Sequence, residues 1–437
     1  MAKYIFMNEK KNVDKGISRT KRYLIWLLIV LIVVDLIDSY STNYITAVSS
    51  SVVTEFLVRP YGLPPTTAEA IFSLCSGLAT LGMYVVFFNQ YLADKFGRKK
   101  LLAFITFGMG FASLLLFFSF DIISFTIFLF IMYIFFSSDA WIIYANEESS
   151  DEKRALWTNV ILAAALLGPV FMAVFRPIFV TNAPIIEAWR GMTLLPIILG
   201  LSFTVVILFT VKETSKYEEI SEAGTADKRN SIFMKQNVKA VLNSPRKTEV
   251  KIIIIMSIFN GLNYGFTILT ELFLKNHSTL TESQINTTIY IIAGSVAIGY
   301  IFTGVLCDKI GRKSMLYAHS IILPVGVILS VIGALTNSFL IVALGAALGY
   351  AGFWGLNVVI RLVIIEIVPT DQRGTAGGLR ALSWAIGATI GLLIGSLLIY
   401  TTDPGISFII LSLPVILNII LGSRYLKETK GVNLSEI

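Results

Sequence analysis

Long apolar runs separated by short polar segments cover most of the chain. A helix needs about 20 consecutive apolar residues to span the hydrocarbon core of a bilayer, and these runs are long enough to do so. The pattern therefore predicts an all-α membrane protein with twelve transmembrane helices. The predicted helices, numbered in chain order, lie near residues 22–46, 68–92, 100–120, 122–145, 156–178, 190–211, 250–273, 287–307, 315–336, 338–366, 375–400 and 405–425.

The distribution of basic residues predicts how these helices are oriented. Cytoplasmic loops of membrane proteins carry an excess of Lys and Arg, and most of the 35 Lys and Arg residues fall on one side of the predicted bundle, with both termini. The exceptions are Arg59, Arg176, Arg190, Lys275 and Arg361. We therefore expect a multi-pass protein of the cell membrane with both termini in the cytoplasm. Arg176 and Glu187 are expected near the outer surface, where a salt bridge at the rim is the simplest role.

The composition argues against several other classes of protein. Charged residues make up 14% of the 437 residues, about half the share in a soluble domain. Two cysteines and two histidines are too few for a metal centre, and no phosphate-binding loop of the Walker type occurs. The sequence thus predicts no enzymatic activity, no cofactor and no metal, and the net charge of +7 reflects topology rather than a nucleic-acid partner. The expected partners are the lipid bilayer, a small-molecule substrate and protons, and we expect a monomer.

Three sequence markers recur at nearly the same distance along the chain. The segment LADKFGRKK after helix 2 returns as LCDKIGRKS after helix 8, 214 residues later. The segment KET after helix 6 returns after helix 12, 215 residues later. Helices 4 and 10 each end in a glutamate that is followed by an arginine seven residues later. The repeat predicts two pseudo-symmetric six-helix bundles, at residues 1–211 and 250–437, joined by a cytoplasmic linker at 212–249.

Four segments carry a resemblance to a known family. They are EAWRGMTLLP at 187–196, GVLCDKIGRK at 304–313, EIVPTDQRGTA at 366–376 and KETKGVNLSEI at 427–437. The chain resembles the major facilitator superfamily over nearly its whole length, and within it the sugar-porter and metabolite:proton symporter branches. The resemblance implies the major facilitator fold, secondary transport by alternating access and a substrate site between the two bundles.

The resemblance also implies a role for the charges in the repeated loops. Such residues would form a charge network, the cytoplasmic latch, which helps to hold the halves together when the cytoplasmic side is closed. The latch residues in this sequence are Asp94, Gly97, Arg98, Glu147, Arg154, Asp308, Gly311, Arg312, Glu366 and Arg373. The alternative is that these are solvated charges that only set topology, since an exposed ion pair contributes about 0–1 kcal/mol.

Polar stripes run along four of the apolar helices. Helix 1 carries Asp35, Asp38, Ser39, Thr42 and Asn43 at the spacing i, i+3, i+4, i+7, i+8, which is one face of a helix. Comparable residues are Asp139 on helix 4, Asn260, Asn263, Tyr264, Thr267 and Glu271 on helix 7, and Tyr350, Trp354, Asn357 and Arg361 on helix 10. A face this polar is costly against lipid. The stripes therefore predict a water-accessible cleft, and the resembled family lines its cavity with the same four helices.

Three acids inside the apolar helices are candidates for proton coupling: Asp35, Asp38 and Asp139. Burial and a neighbouring carboxylate both favour the protonated form of a carboxylic acid, so these groups could hold a proton and release it when the cavity opens inward. A static ion pair or a helix cap is the alternative. Which of the three acids carries the proton stays open, because the arginine that sugar porters often place on helix 4 has no counterpart here.

The candidate substrate-binding residues come from helices 7 and 10. They are Asn260, Asn263, Tyr264, Thr267, Trp354, Asn357 and Arg361. Only Asn263 matches the polar positions of sugar porters, and Arg361 suits a carboxylate or phosphate, unless it neutralises Glu366 or acts in the latch. We therefore expect proton-coupled uptake of a small polar metabolite, an organic acid or a sugar. The alternatives are a drug or metabolite:proton efflux antiporter and a non-transporting nutrient sensor.

Overall fold

The computed structural model describes residues 19–88, 92–93, 96–135, 140–149, 151–215, 217–218, 232–369 and 372–430, and all regular secondary structure in these ranges is helical. The main helices are α1 (Lys21–Tyr61), α2 (Pro65–Phe88), α3 (Arg98–Phe117), α4 (Ile122–Ile134), α5 (Val160–Thr181), α6 (Ile186–Thr210), α7 (Lys247–His277), α8 (Glu282–Ile310), α9 (Arg312–Leu335), α10 (Phe339–Glu366), α11 (Arg373–Thr401) and α12 (Pro404–Tyr425). Shorter helices are Ala140–Glu148, Asp151–Ala165, which leads into α5, and Ile232–Leu242.

Eleven helices in the described ranges are long and apolar enough to cross a membrane, by length and composition. The twelve labels also include α4, a shorter apolar helix over Ile122–Ile134. The predicted fourth span continues through residues 136–139, which lie outside the described residues, to the helix Ala140–Glu148. The protein is thus a multi-pass helical membrane protein, and the twelfth span stays a prediction.

Polar residues between the apolar runs mark helix starts. Asp121 precedes α4, and its Oδ1 accepts a hydrogen bond from the backbone N–H of Ser124 at 2.7 Å. Asp403 precedes α12, and its Oδ1 accepts one from the backbone N–H of Ile406 at 2.9 Å. The first N–H groups of a helix have no partner within it, and such a group is costly in or near lipid. A short acidic side chain satisfies one of them, so the helix begins there.

Large apolar side chains point outward along many of the helices. Phe209 on α6 is 85% exposed and Leu340 on α10 is 77% exposed. In water each such side chain would cost about 1.5–3 kcal/mol relative to burial, whereas lipid tails remove that cost. The outward apolar surface is therefore the surface expected of helices that stand in a bilayer.

The two halves of the chain, residues 19–218 and 232–430, pack along α2 and α11. Ser73 Oγ on α2 donates to the backbone carbonyl of Leu392 on α11 at 2.9 Å. Two turns further along α2, and about one turn back along α11, the hydroxyls of Thr80 and Thr389 lie 2.8 Å apart. Small hydroxyl side chains let two helices approach closely and hydrogen-bond in an apolar setting. The helices α2 and α11 thus form a continuous seam between the halves.

Candidate functional site

The bundle has two ends, which the repeated loops distinguish. The motif end carries Gly97 and Gly311, which come directly before α3 and α9. The far end is the opposite one and carries the end of α1 and the start of α2. Because α1 begins at Lys21 and ends at Tyr61, it runs from the motif end to the far end.

A cavity of about 110 Å³ lies between the two halves of the chain. Helices α1 and α5 and the helix Ala140–Glu148 line it from the first half, and α8 and α10 line it from the second. Its charged lining residues among those described are Asp35, Asp38 and Arg361. The fold thus brings two of the three candidate proton-coupling acids together with the arginine of α10. The third, Asp139, lies outside the described residues.

The polar stripe of α1 forms one wall of this cavity. All five of its residues, from Asp35 to Asn43, line the cavity, as the helical spacing predicts for one face. Thr42 Oγ1 donates to the backbone carbonyl of Asp38 at 2.8 Å, and Asn43 Nδ2 donates to that of Ser39 at 2.7 Å. These two side chains therefore use a donor within their own helix and leave oxygen acceptors for the cavity.

Aromatic side chains and an arginine form the rest of the polar and aromatic lining. Trp141, in the helix Ala140–Glu148, lines the cavity from the first half. Tyr300 on α8 and Trp354 on α10 line it from the second, with ring centroids 5.6 Å apart and planes tilted by 30°. Arg361 follows Trp354 by seven residues, two turns further along the same face of α10. Trp354 and Arg361 are thus the two predicted substrate residues that reach this cavity.

The other predicted substrate residues lie elsewhere in the described structure. Asn260 and Asn263 on α7 are buried, and the side-chain oxygen and nitrogen of Asn260 make no hydrogen bond within the described chain. Thr267 Oγ1 donates to the backbone carbonyl of Tyr264 in its own helix at 2.8 Å. Asn357 accepts a hydrogen bond from Arg380 Nη1 of α11 at 2.9 Å. In this conformation these side chains pack between helices rather than line the cavity.

Tyr264 closes the space between α4 and α7. Its hydroxyl lies 3.3 Å from that of Tyr133 on α4, and its ring packs edge-on against Trp384 of α11, with centroids 5.3 Å apart. Both tyrosines are almost fully buried. This contact joins the two halves of the chain beside the cavity.

The motif end of the first half is a network around Arg98. Its guanidinium pairs with Glu147 at 3.2 Å and donates to the backbone carbonyl of Ala93 at 3.1 Å. Glu213, after α6, accepts hydrogen bonds from the backbone N–H groups of Arg98 and Lys99 at 2.9 and 3.0 Å, which places a carboxylate at the start of α3. The side chain of Arg154 and all of Asp94 lie outside the described part of the chain.

The motif end of the second half repeats these contacts. Arg312 pairs with Glu366 at 2.8 Å and with Asp308 at 2.9 Å, and donates to the backbone carbonyl of Cys307 at 2.9 Å. Arg373 Nε donates to the backbone carbonyl of Ile365 at 3.0 Å. The equivalence extends to single atoms, since Ala93 and Cys307 occupy matching places in the two repeats.

Glu428 and Thr429 complete the second network, as Glu213 and Thr214 do the first. Burial raises the pKa of Glu428, but hydrogen bonds from backbone N–H groups, first those of Arg312 and Lys430, outweigh it and hold the pKa below its usual value. Thr429 Oγ1 donates to Glu366 Oε2 at 2.5 Å, and Thr214 Oγ1 donates to Glu147 Oε2 at 2.5 Å. These residues form the repeated KET segment, whose recurrence was visible in the sequence although it did not reveal the contacts.

The far end is held by a buried cluster around Glu271 of α7. Arg176 of α5 lies 2.6 Å from Glu271, and both side chains are fully buried. Glu271 also accepts hydrogen bonds from Ser49 Oγ at 3.0 Å and from Ser50 Oγ at 2.7 Å, both on α1. Arg176 donates further to Asn286 of α8. The expected position of Arg176 at the outer rim is therefore wrong: it lies inside the protein, whereas Glu187 pairs with Arg59 at 2.5 Å on the surface.

A second contact at the far end involves Glu69 of α2. Its carboxylate lies 3.0 Å from His277 Nε2 and accepts a hydrogen bond from Asn276 Nδ2 at 2.6 Å, and both partners belong to the last turn of α7. The pairs of Arg176 with Glu271 and Glu282 and of His277 with Glu69 join the two halves of the chain at this end. The ion pairs at the motif end lie within one half. The halves are thus tied together at the far end.

Parts of the chain are similar in sequence to proteins of other organisms. Over 147 residues the chain is 29% identical to the sugar transporter ERD6-like 8 of Arabidopsis thaliana, covering 30% of each chain. Over 136 residues it is 30% identical to the multidrug resistance protein Stp of Mycobacterium tuberculosis, covering 31% of this chain and 25% of that protein. The chain therefore aligns with less than a third of the length of these relatives.

Solved structures with the same fold include a D-xylose-proton symporter and a POT family transporter. The crystal structure of a D-xylose-proton symporter matches with a TM-score of 0.73 and 18% identity, covering 94% of this chain and all of the other. A POT family transporter in complex with 5-aminolevulinic acid matches with a TM-score of 0.68 and 14% identity, covering 90% of this chain and 94% of the other. At these identities the similarity shows the fold alone.

The family model for the Major Facilitator Superfamily matches residues 27–281 and 252–436. The two matches together extend over nearly the whole chain, and the fold agrees with them. The resemblance read from the loop motifs is confirmed: the chain belongs to the Major Facilitator Superfamily.

Proposed function

We propose that the protein carries a small polar metabolite, such as an organic acid or a sugar, across the cell membrane by alternating access, and that protons drive its uptake. The observation that supports this most directly is the cavity between the halves, which two aspartates and an arginine line. Charged side chains are energetically costly in the hydrocarbon region of a bilayer. Three of them around one cavity therefore indicate a space that holds water or solute and does not face lipid.

The far-end contacts support alternating access. Asp38 and Ser49 are eleven residues apart on α1, which corresponds to about 17 Å along the helix. The cluster of Glu271 and Arg176 therefore lies well beyond the cavity towards the far end, and the contact of Tyr133 with Tyr264 lies beside the cavity. Opening the far end requires these bonds to break. The structure thus has the features of a transporter that is closed at its far end.

We propose that the motif end faces the cytoplasm, with both termini. The basic loops lie at this end, and cytoplasmic loops carry most Lys and Arg. The chain would then form two six-helix bundles, at residues 1–211 and 250–437, with 212–249 as a cytoplasmic linker. Closing the motif end would bring the network around Arg98 and the network around Arg312 towards each other. In the proposed latch, these two networks then hold the halves together.

Proton coupling is proposed for Asp35, Asp38 and Asp139. When the cavity closes on both sides, water leaves, and the ionised form of a carboxylic acid becomes more costly. Protonation removes that cost, so the loaded transporter can change sides most easily with a proton bound. A membrane potential of 100 mV supplies about 2.3 kcal/mol per charge moved, which corresponds to a concentration ratio of about fiftyfold for each proton.

The test is solute-driven proton movement in proteoliposomes that contain a trapped pH indicator. D-xylose, succinate, inorganic phosphate and the amino acid 4-aminobutyrate are added outside one at a time, and we expect at least one to acidify the interior. The same measurement is made on Asp35→Asn, Asp38→Asn and Asp139→Asn. The surface variant Glu187→Gln, which also removes one acidic side chain, is the matched control. Acidification should disappear in at least one aspartate variant and persist in Glu187→Gln. If all three aspartate variants keep it, the coupling scheme is wrong.

Efflux is the second candidate, because one of the similar proteins is named a multidrug resistance protein. An efflux antiporter exchanges protons for solute, so an inward proton gradient would empty vesicles that contain solute instead of filling them. The direction of solute movement under the same imposed gradient separates the two functions. The three charged side chains of the cavity and its volume of about 110 Å³ favour a small polar metabolite over a large apolar drug.

A further inference from the structure

Opposite charges stand on opposite sides of the cavity between the halves. The carboxylates of Asp35 and Asp38 belong to α1, in the first half of the chain, and the guanidinium of Arg361 belongs to α10, in the second. A hydroxyl-rich sugar needs mixed donors and acceptors around its ring, and a dicarboxylate needs cations at both ends. The lining instead has one acidic and one basic wall.

The α1 wall is rich in hydrogen-bond acceptors. Each ionised carboxylate is an acceptor only. Thr42 and Asn43 each direct a donor to the backbone of their own helix, so their remaining oxygens add acceptors to the same wall. A group that donates several hydrogen bonds and carries positive charge, such as an ammonium, matches this wall best.

The α10 wall is rich in donors. Arg361 offers a planar fork of N–H groups and no acceptor, which fits a carboxylate with two parallel hydrogen bonds. Two turns away on the same face, the indole N–H of Trp354 is buried and makes no hydrogen bond within the described chain. It is a second donor for an anionic group that reaches this wall.

Aromatic rings flank the space between the two walls. Trp141 comes from the first half, and Tyr300 and Trp354 come from the second. Tryptophan and tyrosine faces attract a cation that lies within about 6 Å of the ring centroid. These rings therefore favour an ammonium group over an uncharged hydroxyl at the same place.

We infer that the cavity takes a zwitterionic solute, with an amine that binds towards Asp35 and Asp38 and a carboxylate that binds towards Arg361. This inference rests on the proposed function and narrows its substrate class. The described lining carries two negative charges and one positive charge, so a zwitterion and one proton together leave it neutral. A dicarboxylate would leave it strongly negative, which a closed, water-poor cavity disfavours.

The test is thermal stabilisation of the purified full-length protein by matched solutes. 4-Aminobutyrate and 2-aminobutyrate each carry an ammonium and a carboxylate, at two different separations. Butyrate carries only the carboxylate, and butylammonium carries only the ammonium. D-xylose represents the sugars, and succinate represents the dicarboxylates. We expect at least one of the two amino acids to raise the melting temperature more than each of the other four solutes. If any of those four stabilises the protein more than both amino acids, or if neither amino acid stabilises it, the inference is wrong.

Two variants test which wall of the cavity binds the carboxylate of the solute and which binds its amine. Arg361→Gln should weaken binding of the better amino acid by roughly 10- to 150-fold, the usual loss for a hydrogen bond to a charged group, and leave butylammonium binding unchanged. Asp38→Asn should weaken the same amino acid but not butyrate. Arg424→Gln, an arginine exposed at the end of α12, is the matched control and should bind like the wild type. Equal affinity for the amino acid in Arg361→Gln and the wild type would contradict the assignment.

The outcome separates this inference from the proposed function. If D-xylose stabilises the protein best and is transported together with a proton, the proposed function is supported and the inference of a zwitterionic solute is wrong. If an amino acid stabilises the protein and enters proteoliposomes without any proton movement, the inference of a zwitterionic solute is supported and the proposed proton coupling is wrong.

Discussion

Arg176 Nη2 and Glu271 Oε1 lie 2.6 Å apart, and both side chains are completely buried although they come from different halves of the chain. Such a pair is stable only while both charges remain together, since each alone would be buried without compensation. Ser49 and Ser50 of α1 add hydrogen bonds to the same carboxylate. A buried ion pair therefore joins the two halves of the chain at the far end, and the proposed alternating access would have to break it.

Removing one charge of this pair should open the far end. Glu271→Gln removes the buried partner of Arg176 and leaves it only the half-exposed Glu282, whose carboxylate lies 3.7 Å away. This costs at most about 3–5 kcal/mol in the closed state, whereas water can solvate the guanidinium in the open state. We expect spin labels at Tyr61 and Ser283, two exposed far-end positions, to move apart in this variant. The distance distribution measures the shift, with the native cysteines replaced.

The double variant Arg176→Gln with Glu271→Gln is the control for this prediction. It removes both charges, so neither is left alone, and the label distances should return towards those of the wild type. If Glu271→Gln leaves the distances unchanged, or if the double variant opens the far end as much, the pair does not control closure.

The polar face of α1 could be predicted from sequence because helical periodicity alone defines it. Asp35, Asp38 and the three residues that follow on that face all line one cavity. The same reasoning applied to α7 does not find cavity residues in this conformation. Periodicity shows which face of a helix is polar, but not whether that face meets water or another helix. Asn260 and Tyr264 face neighbouring helices, and Tyr264 is buried against Tyr133 and Trp384.

The contacts of the motif end were only partly predictable. The sequence linked Arg98 with Glu147 and Arg312 with Glu366, and the structure pairs them. It did not reveal that Glu428 binds the start of α9, because that contact joins residues more than a hundred positions apart. The KET segment recurs with nearly the same period as the loops. This recurrence indicates that the two segments are equivalent in the two halves, but it does not identify the residues that they contact.

Replacing Gly311 should destabilise the motif end. Its φ of +101° lies in a region that favours glycine, and an added Cβ would lie 2.6 Å from Glu428 Oε2. We expect Gly311→Ala to lower the stability by about 1–3 kcal/mol, measured as a lower melting temperature in detergent. Gly304→Ala, in the last turns of α8 with nothing within 4 Å of the added Cβ, is the matched control and should not destabilise. Equal melting temperatures for the two variants would contradict the prediction.

The carboxylate of Glu428 should make stability at the motif end depend on pH. Burial raises its pKa, but the backbone N–H groups of Arg312 and Lys430 and of the neighbouring residues outweigh this and lower the pKa below the ordinary glutamate value. The folded state therefore binds this proton less readily than the unfolded state, so the contribution is present above the unfolded pKa and is lost as the pH falls through the folded one.

We accordingly expect Glu428→Gln to reduce thermal stability at neutral pH and to approach the wild type as the pH falls through the folded-state pKa of this carboxylate, which lies below the ordinary glutamate value. Melting temperatures of both proteins across the pH range measure the difference. A difference that is the same at acidic and neutral pH would show that the loss comes from packing rather than from the charge.

The ion pair between Asp308 and Arg312 should affect transport rate more than stability. The two side chains lie 2.9 Å apart, but Asp308 is 74% exposed, and an exposed pair contributes only about 0–1 kcal/mol. Arg312 keeps Glu366 and the carbonyl of Cys307 as partners when Asp308 is replaced. If the latch forms when the motif end closes, Asp308→Asn removes a charge needed in that state but not in the one described here. We expect slower solute uptake in proteoliposomes, with solute binding and melting temperature near those of the wild type. Lys309→Gln, the neighbouring change of one charge, should transport normally. An unchanged uptake rate in Asp308→Asn would leave these loop charges with a role in topology alone.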